Sequence, residues 1–258
     1  MSRYAAMFER LRARGEGAFG AFAMLGDPDL ATSADLLDSL VESGADMLEV
    51  GIPFSDPVAD GPVIQAAAVR ALAAGVRTAD CFELLTGLRL RHPDVPVGIL
   101  TYANIVMARD RDAFYRAAAE AGVDSVLVAD VPLIEAEPFL AAARAAGVAP
   151  VLIAAPNTPP ERLRRIAEQG EGYTYCVARA GVTGADDEVR FAGDVIAALK
   201  EAKAPPPILG FGIAEPEHVR LALATGAAGV ISGSAIVERI ARGEDVSGFV
   251  AATKAATR

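Results

Sequence analysis

The stretch Ser43-Gly44-Ala45-Asp46-Met47-Leu48-Glu49-Val50 passes from the end of a helix-like segment, through a glycine, into a short apolar run. Three other stretches repeat the pattern: Ala121-Gly122-Val123-Asp124-Ser125-Val126-Leu127-Val128, Ala146-Gly147-Val148-Ala149-Pro150-Val151-Leu152-Ile153, and Thr225-Gly226-Ala227-Ala228-Gly229-Val230-Ile231-Ser232. Each glycine suits the left-handed position just beyond a helix C-terminus. The run that follows reads as a buried parallel strand. Residues 20–25, 97–101, 173–177 and 207–210 bring the strand count to eight, with helix-like segments between nearly all of them. Such alternation implies a parallel sheet. No Gly-x-Gly-x-x-Gly follows the first strand, which turns the choice from an open doubly wound sheet to a closed α/β barrel, the (β/α)8 TIM barrel. Residues 1–14 predict an extra N-terminal amphipathic helix plugging the bottom, and residues 234–239 a short helix after strand eight. The 258 residues are read as a single domain, residues 1–258, a length typical of such barrels.

Composition narrows the function. With 52% hydrophobic residues and 24 glycines the chain buries a large core and turns often, which excludes whole-chain disorder. A net charge of −10 with no basic patch argues against nucleic acid, while an anionic small substrate stays compatible, because backbone N–H groups hold phosphate locally. Apolar runs break off before the length of about 18 residues that spans a bilayer. The first ten residues carry charge where a signal peptide needs its apolar centre, so a cytoplasmic protein is expected, with no membrane partner. Cys81 and Cys176 lack metal spacing and read as packing residues, and no His-Glu-x-x-His or acidic triplet is present, so no metal is implied.

In such barrels chemistry sits where strands end and βα loops begin. Glu49 is the one acidic residue in the apolar second strand. A buried carboxylate without a partner costs several kcal/mol or turns neutral, so Glu49 is either a salt-bridged core group or a general acid/base with a pKa nearer neutrality. The loop Ile52-Pro53-Phe54-Ser55-Asp56-Pro57-Val58-Ala59-Asp60-Gly61-Pro62 is stiffened by three prolines. Asp60 there fits two roles equally: a cap for the helix starting near Pro62, or a polar substrate contact at the mouth. Glycine clusters at residues 180–185, 210–213 and 232–235 follow strands six, seven and eight, and phosphate sites of these barrels lie after strands seven and eight; Ser234 and the Gly233 amide would sit at the positive end of the short helix. Tyr102 and Tyr175 fall near the mouth and fit either core or site, and Asp130, just after strand four, could face the site. His92 and His218, without a nearby second ligand, read as surface residues.

The chain resembles the tryptophan synthase α subunit family from near its start to its end. The resemblance rests on residues 48–65, supported by Gly26-Asp27-Pro28, Tyr102-Ala103-Asn104, Val128-Ala129-Asp130-Val131-Pro132, Gly181-Val182-Thr183-Gly184-Ala185, Gly210-Phe211-Gly212-Ile213 and Ile231-Ser232-Gly233-Ser234-Ala235. It implies retro-aldol cleavage of indole-3-glycerol phosphate to indole and glyceraldehyde 3-phosphate, with Glu49 and Asp60 as catalytic residues: Glu49 as proton shuttle, Asp60 as acceptor of the indole N–H. Phe22, Ile64, Leu100 and Leu127 would wall the indole, Tyr175 would pack near Asp60, and Tyr102 would also contact substrate. Thr183 would orient Asp60 from the sixth βα loop, and Gly184, Gly212, Ile213, Gly233 and Ser234 would bind phosphate. The resemblance implies no cofactor in this chain, a pyridoxal-phosphate β subunit as partner, and an αββα heterotetramer, with Asp56, Pro57, Asn104 and Pro132 facing that partner. Ala178 departs from the small hydroxyl residue that many members carry. Alternatives within the same reading are a stand-alone indole-releasing lyase and a catalytically silent activating subunit, which retention of both carboxylates disfavours; a phosphosugar isomerase barrel is disfavoured by the Pro-rich loop.

Overall fold

In the computed structural model the described residues are 1–108, 110–177, 193–210 and 212–258. Their elements follow in the order α1 (Arg3–Arg14), β1 (Ala18–Met24), α2 (Leu30–Glu42), β2 (Met47–Gly51), α3 (Pro62–Ala73), α4 (Thr78–Arg91), β3 (Val97–Thr101), α5 (Ala103–Met107), α6 (Arg111–Glu120) and β4 (Ser125–Val128). The second half continues with α7 (Glu137–Ala145), β5 (Ala149–Pro150), β6 (Leu152–Ala154), α8 (Pro160–Gln169), β7 (Thr174–Val177), α9 (Gly193–Glu201), β8 (Pro207–Gly210), α10 (Pro216–Ala224), β9 (Gly229–Ser232), α11 (Ser234–Ala241) and α12 (Ser247–Ala255). The strands are all parallel, in the order β5-β4-β3-β2-β1-β9-β8-β7-β6.

β5 and β6 are two pieces of the expected fifth strand, separated only by Val151, and they close the barrel: β5 pairs with β4 and β6 with β7. Pro150 accounts for the break. Its carbonyl faces β7 and accepts from Glu171 N at 2.9 Å, but it has no N–H to donate on that side, so pairing with β7 begins at Leu152.

The four repeated glycines all have positive φ: 109° at Gly44, 78° at Gly122, 73° at Gly147 and 91° at Gly226. Two of the four repeats, those carrying Asp46 and Asp124, also share a device that the local pattern does not reveal. Asp46 Oδ2 accepts from Phe19 N at 2.9 Å, and Asp124 Oδ2 accepts from Val97 N at 2.9 Å, so each aspartate ties its strand to the start of the preceding one.

The expected N-terminal helix forms, capped by Ser2, whose side chain accepts from Ala5 N, and ended by Gly15 in the left-handed conformation. Its buried face, Tyr4, Met7 and Leu11, covers the bottom of the barrel. Tyr4 OH lies 2.8 Å from Ser125 Oγ, and Arg3 pairs with Asp124 at 3.0 Å.

Candidate active site

Strand register sorts the interior. Side chains alternate across a strand, so paired residues in neighbouring strands share a face. Phe22 pairs with Glu49, Glu49 with Gly98 and Gly98 with Ser125. Two residues further up, Gly51 pairs with Leu100 and Leu100 with Leu127. Across the barrel Tyr175 pairs with Ile153 and Ile208. The ring of Tyr175 fills the space that a side chain at residue 210 would need, which explains why Gly210 has none.

Glu49 is 1% exposed, and Tyr173 OH donates to its Oε1 at 2.8 Å. Room for that contact comes from Gly98. A Cβ there would lie 2.6 Å from Ser125 Oγ, 3.0 Å from Tyr4 OH and 3.7 Å from Tyr173 OH, so the three hydroxyls meet over its bare Cα. Burial dominates the electrostatics: it raises the Glu49 carboxyl to about 7, the Tyr173 hydrogen bond partly opposes it, and the charge of Asp60 adds to it. No ion pair to Glu49 is present among the described residues, so the salt-bridged core reading does not hold there.

Asp60 is not a helix cap. Gly61 is the N-cap residue of α3 and makes no side-chain capping bond, with Pro62 in the first helical turn. The Asp60 side chain turns inward instead, 8% exposed, and burial raises it to about 6. The Tyr102 hydroxyl is buried nearby and favours the charged form of Asp60, yet it lacks the close, directed contact of a full hydrogen bond. Geometry makes it a near neighbour rather than a partner. Phe54 stacks on Tyr102 with ring centroids 5.3 Å apart, so the loop carrying Asp60 is fastened to the end of β3.

Phe22, Ile64, Leu127, Tyr102 and Tyr175 are buried and Leu100 is half-buried. On the other side of the mouth, Ser232 Oγ donates to Ile213 O at 2.6 Å, which brings the turn at Gly212 (φ 77°) beside the start of α11. Gly233 caps α11 without a side-chain bond, and Ser234 opens the helix. First-turn amides without intrahelical acceptors and the positive end of the dipole make such a terminus suited to phosphate. Thr183, Gly184 and Ala178 lie outside the described residues.

Asp130 does not enter the interior; its carboxylate is exposed and accepts from Ala103 N at 2.8 Å. His92 is half-buried against Asp38, 2.9 Å away, and His218, on α10, accepts from the preceding Ala214 N. Sequence reasoning missed Tyr173, Tyr4 and Ser125. The available signal was parity: Tyr173 lies two residues before Tyr175, so both face inward.

The protein-family model described as "Tryptophan synthase alpha chain" matches residues 8–257. The tryptophan synthase alpha chain of Shewanella amazonensis is 54% identical to this chain, and that of Serratia proteamaculans 51%, each over all of both chains. Among solved structures, an Aquifex aeolicus VF5 protein is 34% identical with a TM-score of 0.93, covering all of both chains. A Mycobacterium tuberculosis tryptophan synthase structure is 31% identical with a TM-score of 0.90, covering all of this chain and 98% of that one.

Proposed function

Since the chain belongs to the tryptophan synthase alpha chain family, we propose that Glu49 and Asp60 divide between them the chemistry of its reaction. That reaction is the α reaction of tryptophan biosynthesis, in which a carbon–carbon lyase converts indole-3-glycerol phosphate to indole and glyceraldehyde 3-phosphate. The observation that carries the division is the pair of buried carboxyls, one near 7 on a rigid strand and one near 6 at the loop above it.

Near neutral pH Glu49 populates both forms, as a group that gives and takes a proton requires. Its acid form protonates indole C3, and positive charge develops on the ring nitrogen. The Asp60 carboxylate accepts a hydrogen bond from the ring N–H and stabilises that charge in a site shielded from water. Glu49, now ionised, removes the proton from the hydroxyl on the carbon bonded to C3. The C–C bond breaks, its electrons return to the ring, the aldehyde forms, and Glu49 ends protonated as it began. Phe22, Ile64, Leu100 and Leu127 enclose the ring, with Tyr102 and Tyr175 against it. Gly212, Ile213, Gly233 and Ser234 hold the phosphate, joined by Gly184, and Thr183 orients Asp60. The family's α chain needs no cofactor of its own for this chemistry; pyridoxal phosphate belongs to the β partner in this reading.

A β subunit is the family's partner, and we place its docking surface on the rim formed by the loops after β2, β3 and β4. These loops are fastened together by the Phe54–Tyr102 stack and the Asp130 bond to Ala103. They expose Val58 (73%), Met107 (51%) and Ile134 (75%) beside Asp56, Asn104 and Pro132, with Pro57 half-buried. The αββα stoichiometry and a cytoplasmic setting complete the proposal; no described helix is long and apolar enough to cross a membrane.

The test is indole release from indole-3-glycerol phosphate by Glu49→Gln and Asp60→Asn variants, measured with saturating β subunit. Each variant is expected to lose at least about a hundredfold in kcat, the scale of general acid–base and charge-stabilising contributions. Cleavage by Glu49→Gln at the parent rate would remove Glu49 from the mechanism.

A further inference from the structure

Asp60 can serve the ring nitrogen only if its backbone is held still, because phosphate and the apolar walls fix the substrate independently. The prolines at 57 and 62 restrict their own φ and the residues before them, but Gly61, lacking a side chain, leaves the Asp60 peptide more freedom than any other residue would. The orientation of the peptide between Asp60 and Gly61 is therefore set by contacts from other residues. Gln65 supplies one: its Nε2 donates to the Asp60 carbonyl at 2.7 Å, while its backbone N donates to Gly61 O at 3.0 Å.

The helix that carries Gln65 is itself anchored. Arg70 on α3 grips Asp27 with two bonds, Nε to Oδ1 at 2.7 Å and Nη2 to Oδ2 at 2.8 Å. Asp27 is 1% exposed and sits in the loop after β1. Such a two-pronged contact, with its carboxylate buried, is geometrically demanding. α3 also packs against β1 and α11 and contributes Ile64 to the buried interior. The Asp60 backbone is thus tied to a helix that is fixed both to the first strand and to the helix beside the phosphate region.

We propose that Gln65 is a positioning residue for the reaction, holding the Asp60 peptide so that its carboxylate meets the indole N–H. The inference rests on the reading of Asp60 given above. Gln65 touches no reacting atom and acts only through Asp60. Misplacement of a catalytic group by about an ångström costs up to about a hundredfold in rate.

The experiment compares Gln65→Met with Asp60→Asn and the parent chain, each saturated with β subunit, using indole release from indole-3-glycerol phosphate between pH 5 and 9 together with thermal unfolding. Methionine is nearly isosteric, forms helices well and has no donor. Expected for Gln65→Met are a kcat lower by roughly tenfold or more, KM within about twofold, an unchanged Tm, and an acidic limb moved to lower pH as Asp60 gains water. The titratable groups near Asp60 among the described residues, Glu49, Tyr102 and Tyr175, are unaltered in this variant, so a displaced acidic limb reports Asp60. A parental kcat and limb in Gln65→Met, with Asp60→Asn inactive, overturns the role of Gln65 alone. So does a loss uniform across pH accompanied by a lower Tm. An Asp60→Asn variant with parental activity overturns the Asp60 reading and takes this inference with it.

Discussion

At the residue scale, the two inner carboxyls differ because their surroundings differ. Glu49 has a hydroxyl donor, Tyr173, that favours its charge and partly offsets the cost of burial. The sign of the pH dependence follows from the chemistry. In the proposed mechanism Glu49 starts protonated and Asp60 works ionised, so the rate is expected to fall as pH rises through about 7 and as pH drops through about 6. The pair should give a bell whose acidic limb is set chiefly by Asp60 and whose basic limb is set chiefly by Glu49. Removing the hydroxyl in Tyr173→Phe takes away a contact that lowers the Glu49 pKa, so the basic limb of the kcat profile should move to higher pH while the acidic limb stays. A basic limb that stays in place would show that Tyr173 does not tune Glu49 in the working enzyme. Glu49 stood out in the sequence as one acid among apolar strand residues. Its partner did not, because Tyr173 is 124 residues away and nothing local marks the two as neighbours.

At the scale of elements, helix α1 is more than an amphipathic cover. Its Tyr4 ring packs tilted against Tyr173 with centroids 5.4 Å apart, and its hydroxyl meets Ser125 at the start of β4. Tyr4→Ala removes a fully buried aromatic and leaves Ser125 without its partner. It should cost roughly 3–5 kcal/mol in chemical denaturation, the range for emptying a buried aromatic site. Because Tyr4 lies one ring from the hydroxyl that contacts Glu49, kcat should fall more than KM changes. Loss of less than about 1 kcal/mol, the scale of an ordinary surface change, would mean the helix is not integral to the barrel floor. The pattern of residues 1–14 was sufficient to predict this helix and its apolar face. The contact with Tyr173 was not, because it depends on where the barrel floor places the two rings. Likewise Asp60 suited both a cap and an inward contact when only its neighbours in sequence were known; the conformation of Gly61 as N-cap decided against the cap.

At the scale of the whole molecule, the rim carrying Val58, Met107 and Ile134 exposes apolar side chains on three successive βα loops of an otherwise strongly acidic chain. Exposed apolar groups clustered this way mark association surfaces. Ile134→Glu should therefore weaken β-subunit binding in titration calorimetry by about tenfold or more, a cost of at least about 1.4 kcal/mol, and leave indole release by the isolated chain unchanged. Unaltered binding would move the docking surface elsewhere. The amino-acid sequence by itself determined the eight strand segments, their parallel run, the N-terminal helix and the family. Each depends on short-range features: apolar periodicity, glycines that leave helices through positive φ, and a signature over residues 48–65. Tertiary structure alone decided that the fifth strand divides at Val151 to close the ring, that Glu49 meets Tyr173 beneath a bare Gly98, and that Asp60 turns inward under a peptide held by Gln65. Those outcomes arise from hydrogen bonds and packing between segments that only barrel closure brings together.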